Sequence, residues 1–514
     1  MLARAACLAP GEPIPYHLLK LTLHLPEAKL QVALQAEDGV NRLVELGLIR
    51  PERGNTLRLH HLIVAFIRNA ALPEYESARE AVAVALYEEA KRVNAAGYPA
   101  PLLAWQSHLR AVTQAALIRE DLLTAKLCNE LGWHLEHVGD YASGRPYFEQ
   151  ALAIRQRILG IEHPDTAYSF NSLGNLLRAQ GNLAGARPYF EHALAVREKI
   201  LGEEHADTAA SLNDMGRWFI EQGDLVAAKL HYERALAIGM KVLGQEHPLT
   251  AEYLNNVGVC LLDLGDLTKA RFYLEQALAV NEKVLGPNHP DTALNLNNIG
   301  YLFQELRLPA EAQPYHERAL TIRHAVLGPE HPDTAQSLSN LGSVLQDQGA
   351  LEKARYYLEQ ALAIREKTLG KEHARTAICM ALLGRLLQTV GDLNSAQQYL
   401  EQALTIRQKV LGIDHPDTAD SLNDLGGVLQ VRGDLDNAQQ YLEQALAIRQ
   451  KNLGDDHHLT AQSLNNLGTL LKAQGDQAKA RSYYERALAI LETQFGRDHT
   501  DTNLVRNNLA TLEG

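Results

Sequence analysis

A 42-residue period runs through most of the chain and limits its possible folds more than any other feature. Three residues after each marker glycine stands a histidine, from His163 to His499, and three residues further on a threonine, from Thr166 to Thr502. The marker glycines are Gly160, Gly202, Gly244, Gly286, Gly328, Gly370, Gly412, Gly454 and Gly496. Nine copies in one register predict a stack of like structural units instead of several independent globular domains.

Each copy predicts two antiparallel helices, which we call A and B. In residues 165–202, apolar side chains recur at helical spacing on both sides of Gly181 and Asn182. The glycine predicts a left-handed end to helix A, and the asparagine, an aspartate in several other copies, predicts the N-cap of helix B. The linker that follows has the consensus His-Pro-Asp-Thr, and we expect its aspartate to cap the next helix A.

The residues within one copy match a known repeat. The spacing of Leu173, Gly174, Ala186, Phe190 and Ala193 resembles that of the Leu-Gly, Ala, Phe and Ala positions in tetratricopeptide repeats. The period and the Leu-Gly-x-x-His-Pro-Asp-Thr linker resemble the kinesin-light-chain subclass. This resemblance implies an all-α, superhelical solenoid of about nine hairpins plus a closing helix, with helices A lining a concave groove for a protein or peptide.

The first 122 residues do not follow the period. Residues 1–72 combine short helical patterns with a strand-like segment and resemble a small winged-helix fold. They are similar to the winged-helix segment of STAND signalling ATPases, the group that contains NB-ARC and NLR proteins. Leu59, His60 and His61 lie where that family has Met-His-Asp, so His60 matches its histidine. We expect residues 73–122 to form linking and capping helices and residues 123–514 to form the solenoid.

Composition and motifs argue against several classes of function. Asp and Glu outnumber Lys and Arg by 62 to 49, which disfavours nucleic acid and anionic lipid as partners. No apolar stretch is long enough to span a membrane and no secretory signal is present, so we expect a cytoplasmic protein. We expect reduced core thiols at four widely separated cysteines. These are Cys7, Cys128, Cys260 and Cys379.

The sequence also predicts no catalysis, no cofactor and no metal. The chain lacks a G-x-x-x-x-G-K-[ST] phosphate loop, so we expect it neither to bind nor to hydrolyse ATP. Any Ser-His-Asp triad would consist of repeat-consensus residues and would recur in nearly every copy. Equivalent histidines of stacked repeats lie about 8–10 Å apart, too far to share an ion. We therefore expect His163 and its equivalents to cap helices or to pack against loops.

Candidate partner-binding residues lie on helices A. An asparagine recurs at one position, where an amide ladder could bind an extended peptide backbone. The alternative is that each amide bonds to a neighbouring repeat. The ladder comprises Asn129, Asn171, Asn213, Asn255 and Asn297, and resumes at Asn423, Asn465 and Asn507.

Variable positions lie four residues beyond the ladder, where Trp133, Arg217, Tyr301 and Arg385 are residue types that dominate interfaces. In one repeat Ile378, Ala381 and Arg385 take the groove-facing places, which predicts an apolar anchor pocket; the alternative is neutral drift. Arginines also recur on helix B, at Arg155, Arg197, Arg323, Arg365, Arg407 and Arg449. For these we favour solvated ion pairs over a stripe that binds phosphate or an acidic partner.

These features predict a protein-interaction scaffold or sensor that binds a protein or an extended peptide in the groove. Its N-terminal segment would dock onto a separate nucleotide-binding subunit, which would make the chain the sensing half of a STAND-type signalling system. The alternative is a transcriptional regulator whose winged helix binds DNA.

Overall fold

A computed structural model describes residues 1–23, 30–52, 55–70, 73–95 and 100–512 of the chain. The chain divides into two compact units, residues 1–176 and 177–514. In the described residues the structure is almost entirely helical, and the strands lie near the N-terminus. This agrees with the predicted all-α class.

The N-terminal unit begins with a small mixed segment. Its elements are α1 (Leu2–Cys7), β1 (Ile14–Pro15), α2 (Tyr16–Thr22), α3 (Leu30–Glu45), β2 (Ile49–Glu52), β3 (Thr56–Leu59) and α4 (His61–Asn69). The strands form an antiparallel sheet in the order β1-β3-β2, with Leu57 opposite Ile14 and Leu59 opposite Ile49. His60 is the N-cap of α4, and its side chain accepts a hydrogen bond from the Leu62 N–H.

Three helices connect this segment to the repeats. They are α5 (Pro73–Ala95), α6 (Ala100–Leu103) and α7 (Gln106–Ala116). The chain turns between α6 and α7 at Trp105, whose ring is fully buried in the core of this unit.

The repeats then alternate A and B helices, as predicted. The first pairs are α8 (Leu122–His137) and α9 (Tyr141–Leu159), α10 (Pro164–Ala179) and α11 (Leu183–Leu201), α12 (Ala206–Gln222) and α13 (Leu225–Val242), and α14 (Pro248–Asp263) and α15 (Leu267–Val284). The next are α16 (Pro290–Glu305) and α17 (Pro309–Val326), α18 (Pro332–Asp347) and α19 (Leu351–Thr368), and α20 (Ala374–Val390) and α21 (Leu393–Val410). The last are α22 (Pro416–Arg432) and α23 (Leu435–Leu453), α24 (His458–Ala473) and α25 (Gln477–Phe495), and the closing helix α26 (Thr500–Ala510).

Helix caps explain the linker consensus. Gly223 ends α12 with φ +78°, and Asp224 caps α13 by accepting from the Ala227 N–H, as the sequence predicted. The predicted aspartate cap on helices A is wrong, because the histidine takes that place. His289 Nδ1, for example, accepts from the N–H of Asp291 at 3.1 Å. The intervening proline has no N–H to cap, and the aspartate instead lies in the first helical turn, where its charge favours the helix dipole.

Close helix contacts require the glycine of helix A. In the unit formed by residues 177–514, a Cβ atom on Gly258 would lie 2.8 Å from Leu274 Cγ, and one on Gly216 would lie 2.6 Å from the Tyr232 ring. Such distances are shorter than real carbon contacts. The two helices of the hairpin therefore approach closely in these repeats.

A row of helix-B arginines joins six of the repeats to the A helix that follows. The six arginines are buried, with 2–6% of each residue exposed. Arg407 Nη1 donates to the Asp417 carbonyl and to Ser421 Oγ, both at 2.8 Å and both on the following A helix. The interpretation of these arginines as solvated ion-pairing residues is therefore wrong. The row comprises Arg155, Arg197, Arg323, Arg365, Arg407 and Arg449.

The partner residue changes where the arginine is missing. Asn281 stands at the arginine position of its repeat, and its amide donates to Asn295 Oδ1 at 2.7 Å. In the last repeat the two positions hold Leu491 and Val505, which are buried in one hydrophobic cluster. In these two repeats both members of the pair differ together, whereas Arg365 is kept beside Cys379.

Two further predictions concern the cysteines and membrane-spanning segments. The four cysteines are free and buried, as expected for core thiols. In the described part of the chain, no helix is both long enough and apolar enough to cross a lipid bilayer.

Candidate functional site

The asparagine ladder is buried between neighbouring repeats. Seven of its eight members have an exposed fraction of 1–9%, whereas Asn507 on the closing helix is exposed. The seven are Asn129, Asn171, Asn213, Asn255, Asn297, Asn423 and Asn465. Asn255 Oδ1 accepts from the amides of Asn295 and Asn298 at 2.9 and 2.8 Å, and Asn465 Oδ1 accepts from Asn508 at 2.9 Å.

The exposure that we predicted for the ladder is therefore wrong. The amide oxygens of Asn255 and Asn465 are already bonded to the next A helix, as the alternative interpretation held. Binding of a partner by these amides stays a prediction, and it would require the present hydrogen bonds to break.

The divergent repeat does not form a single groove-facing patch. Ala381 is 6% exposed and shares a hydrophobic cluster with Leu422 of the next A helix. Its prediction as a groove residue is wrong because its methyl group ends within the packing between repeats. Ile378 is half-buried and lines a cavity, whereas Arg385 is exposed outside that cavity.

The variable residues are dispersed. Trp133 lies in the N-terminal unit, where its ring stacks on His137 at 5.1 Å between centroids. Arg217 is paired with Glu252 at 2.7 Å. Tyr301 is 44% exposed and lines the same cavity as Ile378. Among the described residues, the structure brings together these two of the predicted side chains.

Capping histidines join distant repeats within residues 177–514. His415 Nε2 lies 2.9 Å from the carbonyl oxygen of Glu221, 194 residues earlier in the chain. The same contact recurs, at the same separation, for His373 with Ala179 (3.1 Å) and for His457 with Asp263 (2.9 Å). Because each Nδ1 accepts from a backbone N–H and each Nε2 faces a carbonyl, these histidines are neutral and donate through Nε2.

These contacts bring two sets of A-helix ends together. We call the C-terminal ends of α12, α14 and α16, with residues 178–181, the early layer, and the N-terminal ends of α20, α22 and α24 the late layer. The layers are in close contact, since a Cβ on Gly223 would lie 2.5 Å from Pro416 Cδ. Sequence reasoning missed this contact. One signal was present, because a capping histidine uses Nδ1 and leaves an Nε2 donor to be satisfied.

A cavity of about 320 Å³ lies between the two layers. The early layer contributes Leu262, Asp263, Tyr301 and Glu305 among others, and the late layer contributes Ile378 among others. A volume of this size lies at the lower end of the range of known ligand sites. It can hold large side chains of a ligand.

One end of the cavity has more acceptors than donors. Tyr301 donates its hydroxyl hydrogen to Glu305, and Glu305 Oε2 lies 3.7 Å from His458 Nε2. The carboxylate of Asp263 has no hydrogen-bond or ion-pair partner among the described residues. Burial, together with the charges of Asp417 and Glu305, raises the pKa of Asp263 to about 7. Arg307 compensates part of the charge of Glu305, whereas no cation compensates that of Asp263.

Arginines elsewhere around the cavity are already paired. Arg178 Nη1 lies 2.6 Å from Glu221, and Arg449 Nη2 lies 2.7 Å from Asp420. Burial alone would raise the pKa of Asp420, but the charges of Arg449 and Arg407 outweigh it and hold that pKa below its usual value. The contrast with Asp263 shows that the unpaired acidic groups are confined to one end.

The comparisons with known proteins identify the repeat. Eight overlapping segments match the family model described as Tetratricopeptide repeat, from residues 122–199 to residues 417–493, which together span most of the chain. The chain belongs to the tetratricopeptide repeat family. The predicted resemblance to tetratricopeptide repeats is thereby confirmed, and no curated protein sequence matches the chain.

Three solved structures are similar to this tetratricopeptide repeat protein. A Rap protein complexed with Competence and Sporulation Factor has a TM-score of 0.54 at 16% identity, over 72% of this chain and 98% of that one. A Podosopora anserina protein described as a kinesin light chain with nearly identical TPR-like repeats has 29% identity and a TM-score of 0.32, over 40% of this chain and 98% of that one. The STAND protein PH0952 of Pyrococcus horikoshii, with a tetratricopeptide repeat sensor, has 14% identity and a TM-score of 0.38, over 99% of this chain and 64% of that one.

The histidines of the tetratricopeptide repeats cap helices, as expected. In the described ranges, no group of three or more His, Cys, Asp or Glu side chains is placed to hold a metal ion. His163 Nδ1 accepts from the Asp165 N–H at 3.0 Å, and the equivalent histidines do the same in their repeats. The predicted capping role is confirmed.

Asp263→Asn is expected to stabilise the protein in a pH-dependent way. Because the folded-state pKa of Asp263 is raised to about 7, the folded chain retains a proton that the unfolded chain releases between about pH 4 and pH 7. The free energy of unfolding therefore falls as pH rises through this window. Above the window the carboxylate is charged and the protein is destabilised by the full amount. The groups that face Asp263 are Asp417, Glu305 and the neutral His457. The substitution should raise the free energy of unfolding by about 1–3 kcal/mol at pH 8 and by little near pH 4.

Denaturant unfolding of both proteins at several pH values measures this difference. Asp347→Asn is the matched control, because Asp347 occupies the equivalent position at the end of α18 and is exposed. An equal pH dependence in the two variants would show that the surroundings of Asp263 do not raise its pKa.

Proposed function

We propose that the chain is a non-enzymatic sensor that binds a peptide, or a peptide segment of a protein, between the early and late layers. The observation that supports this most is the cavity of about 320 Å³ inside residues 177–514. The buried ladder amides leave few free groups along the A helices, whereas the cavity offers the exposed ring of Tyr301 and the side chain of Ile378.

The mixed lining favours a peptide as the occupant. Ile378 and Leu459 offer apolar contact, Tyr301 offers an aromatic face, and Asp263 offers a charged group. A peptide supplies matching side chains at fixed intervals together with a polar backbone. Tetratricopeptide repeats are interaction modules, and the Rap protein of similar fold is solved in complex with Competence and Sporulation Factor.

Selection from a random heptapeptide library displayed on phage tests the proposal. The full chain should retain a family of related peptides with micromolar affinity, and Ile378→Trp should weaken their binding at least tenfold, because the indole fills the cavity. Leu294→Trp is the matched control, since Leu294 has the equivalent place on α16, is half-buried and does not line the cavity. It should retain the peptides.

Two results would contradict the proposal. One is a library from which no related peptides are retained. The other is a set of retained peptides that bind equally well to Ile378→Trp and to the parent chain, which would place their site elsewhere.

The role of the first 72 residues belongs to the same proposal. The order of α1, β1, α2, α3, β2 and β3, with a three-stranded antiparallel sheet, supports a winged-helix-like domain. We infer that this domain relays the ligand-bound state to a separate nucleotide-binding subunit, as in STAND-type systems. The kinesin-light-chain subclass, the cytoplasmic location and the alternative of DNA binding stay predictions.

A further inference from the structure

Acceptor atoms outnumber donors at one end of the cavity, where the carboxylate of Asp263 has no donor among the described residues. The group of residues at this end consists of Asp263, Tyr301, Glu305 and His458, which all line the cavity. Its members are near neighbours: Tyr301 bonds to Glu305, Glu305 lies 3.7 Å from His458 Nε2, and the His457 ring next to His458 bonds to the Asp263 carbonyl. We call this group the acceptor cluster.

His458 lies beside the acidic residues and lines the same end of the cavity. Its side chain is 10% exposed, and its Nδ1 is buried toward Gly265 and Gln494, which do not line the cavity. Four other copies have proline at this position, directly after the capping histidine and before an aspartate and threonine. Burial lowers the pKa of His458 to about 3, so the ring is neutral. With Nε2 toward Glu305, the unpartnered Nδ1 is an acceptor.

An uncompensated carboxylate in a cavity carries a free-energy cost. A ligand with several N–H donors and a positive charge removes this cost at Asp263. A guanidinium or ammonium group has these properties, and the face of the Tyr301 ring offers further cation–π attraction. An anionic group would be repelled by the Asp263 carboxylate, and a purely apolar group would leave it without hydrogen bonds.

We propose that the acceptor cluster is a specificity subsite that binds the arginine or lysine side chain of the peptide ligand. The inference rests on the proposed function, because it assumes that a peptide enters the cavity. Asp263 and Glu305 supply the charge and accept N–H groups, and Tyr301 contacts the planar or methylene part of the side chain. The apolar residues near Ile378 then contact the adjacent peptide residues.

The peptides retained from the random heptapeptide library provide the probe. Arginine or lysine should be enriched at one position at least fivefold over its frequency in the starting library. For one synthetic arginine-containing peptide, replacement of that arginine by citrulline keeps the shape, removes the charge and should weaken binding to the full chain at least tenfold. The same replacement should weaken binding less than threefold when the chain carries Asp263→Asn. It should weaken binding at least tenfold when the chain carries the control substitution Asp347→Asn.

The outcomes separate the two proposals. If peptides are retained and lose affinity for Ile378→Trp, but show no basic enrichment or tolerate citrulline, the subsite is wrong and the proposed function stands. If citrulline lowers the affinity for Asp263→Asn as much as the affinity for the parent chain, the basic side chain binds elsewhere and the subsite is again wrong. If the library yields no related peptides, or if the peptides bind Ile378→Trp as tightly as the parent chain, the proposed function itself is wrong.

Discussion

Gly223→Ala is expected to separate the early and late layers. The new Cβ would lie 2.5 Å from Pro416 Cδ, a distance that real atoms do not reach, so one layer must move. The hydrogen bond between His415 Nε2 and the Glu221 carbonyl lies beside this contact and should be lost with it. Peptide affinity should fall at least tenfold, because the cavity walls belong to both layers.

Gly433→Ala is a matched control for this prediction. Both glycines end an A helix in the left-handed region, with φ +78° and +86°, but nothing lies within 4 Å of a Cβ on Gly433. Each substitution should cost about 1–2 kcal/mol of backbone strain. Distances between spin labels at the exposed Val226 and Ile413 positions report separation of the layers. Similar distance distributions in both variants would show that the layers are not in contact at Gly223.

Arg407→Leu is expected to lower the free energy of unfolding by about 2–3 kcal/mol. The substitution removes two hydrogen bonds to the next A helix and leaves the Ser421 hydroxyl buried without its donor. The double variant Arg407→Leu/Ser421→Val should recover at least half of this loss, because it recreates the apolar pair of Leu491 and Val505. Denaturation followed by far-ultraviolet circular dichroism measures both changes.

An exposed arginine serves as the control for this pair. Arg355 lies on α19 and is paired with Glu359 at 2.7 Å, with more than half of its side chain exposed. Arg355→Leu should change the free energy of unfolding by less than about 0.5 kcal/mol. If the double variant at Arg407 is no more stable than the single one, the arginine and serine do not act as a pair.

The period and the helix boundaries could be predicted from the sequence because they are local properties. Apolar spacing defines the A and B helices, and glycine followed by aspartate or asparagine marks the turn between them, as at Gly223 and Asp224. The sequence assigned the N-cap of helix A to the aspartate, which lies two residues after the histidine that caps the helix. A proline at the first helical position moves the free N–H groups toward the C-terminus, and the preceding histidine reaches the first of them.

The candidate site could be predicted only in part, because it depends on contacts between residues far apart in the chain. Tyr301 was identified as a variable residue on helix A and Ile378 as part of the divergent repeat, and both line the cavity. Asp263 was missed because it sits at a helix end where an acidic residue is unremarkable in the sequence. Its importance comes from a late layer 194 residues away, as the bond from His457 shows. The repeat pattern does not indicate which residues so far apart in the chain come into contact.

Photocrosslinking tests most directly whether a peptide binds between the two layers. Benzoylphenylalanine in place of Tyr301 puts a reactive ketone in the cavity, and the same residue in place of Phe272 puts it on an exposed helix-B surface of the preceding repeat. With a peptide selected on the full chain, mass spectrometry should find the adduct at position 301 and none at position 272. Adducts at position 272 without any at position 301 would contradict the proposed site.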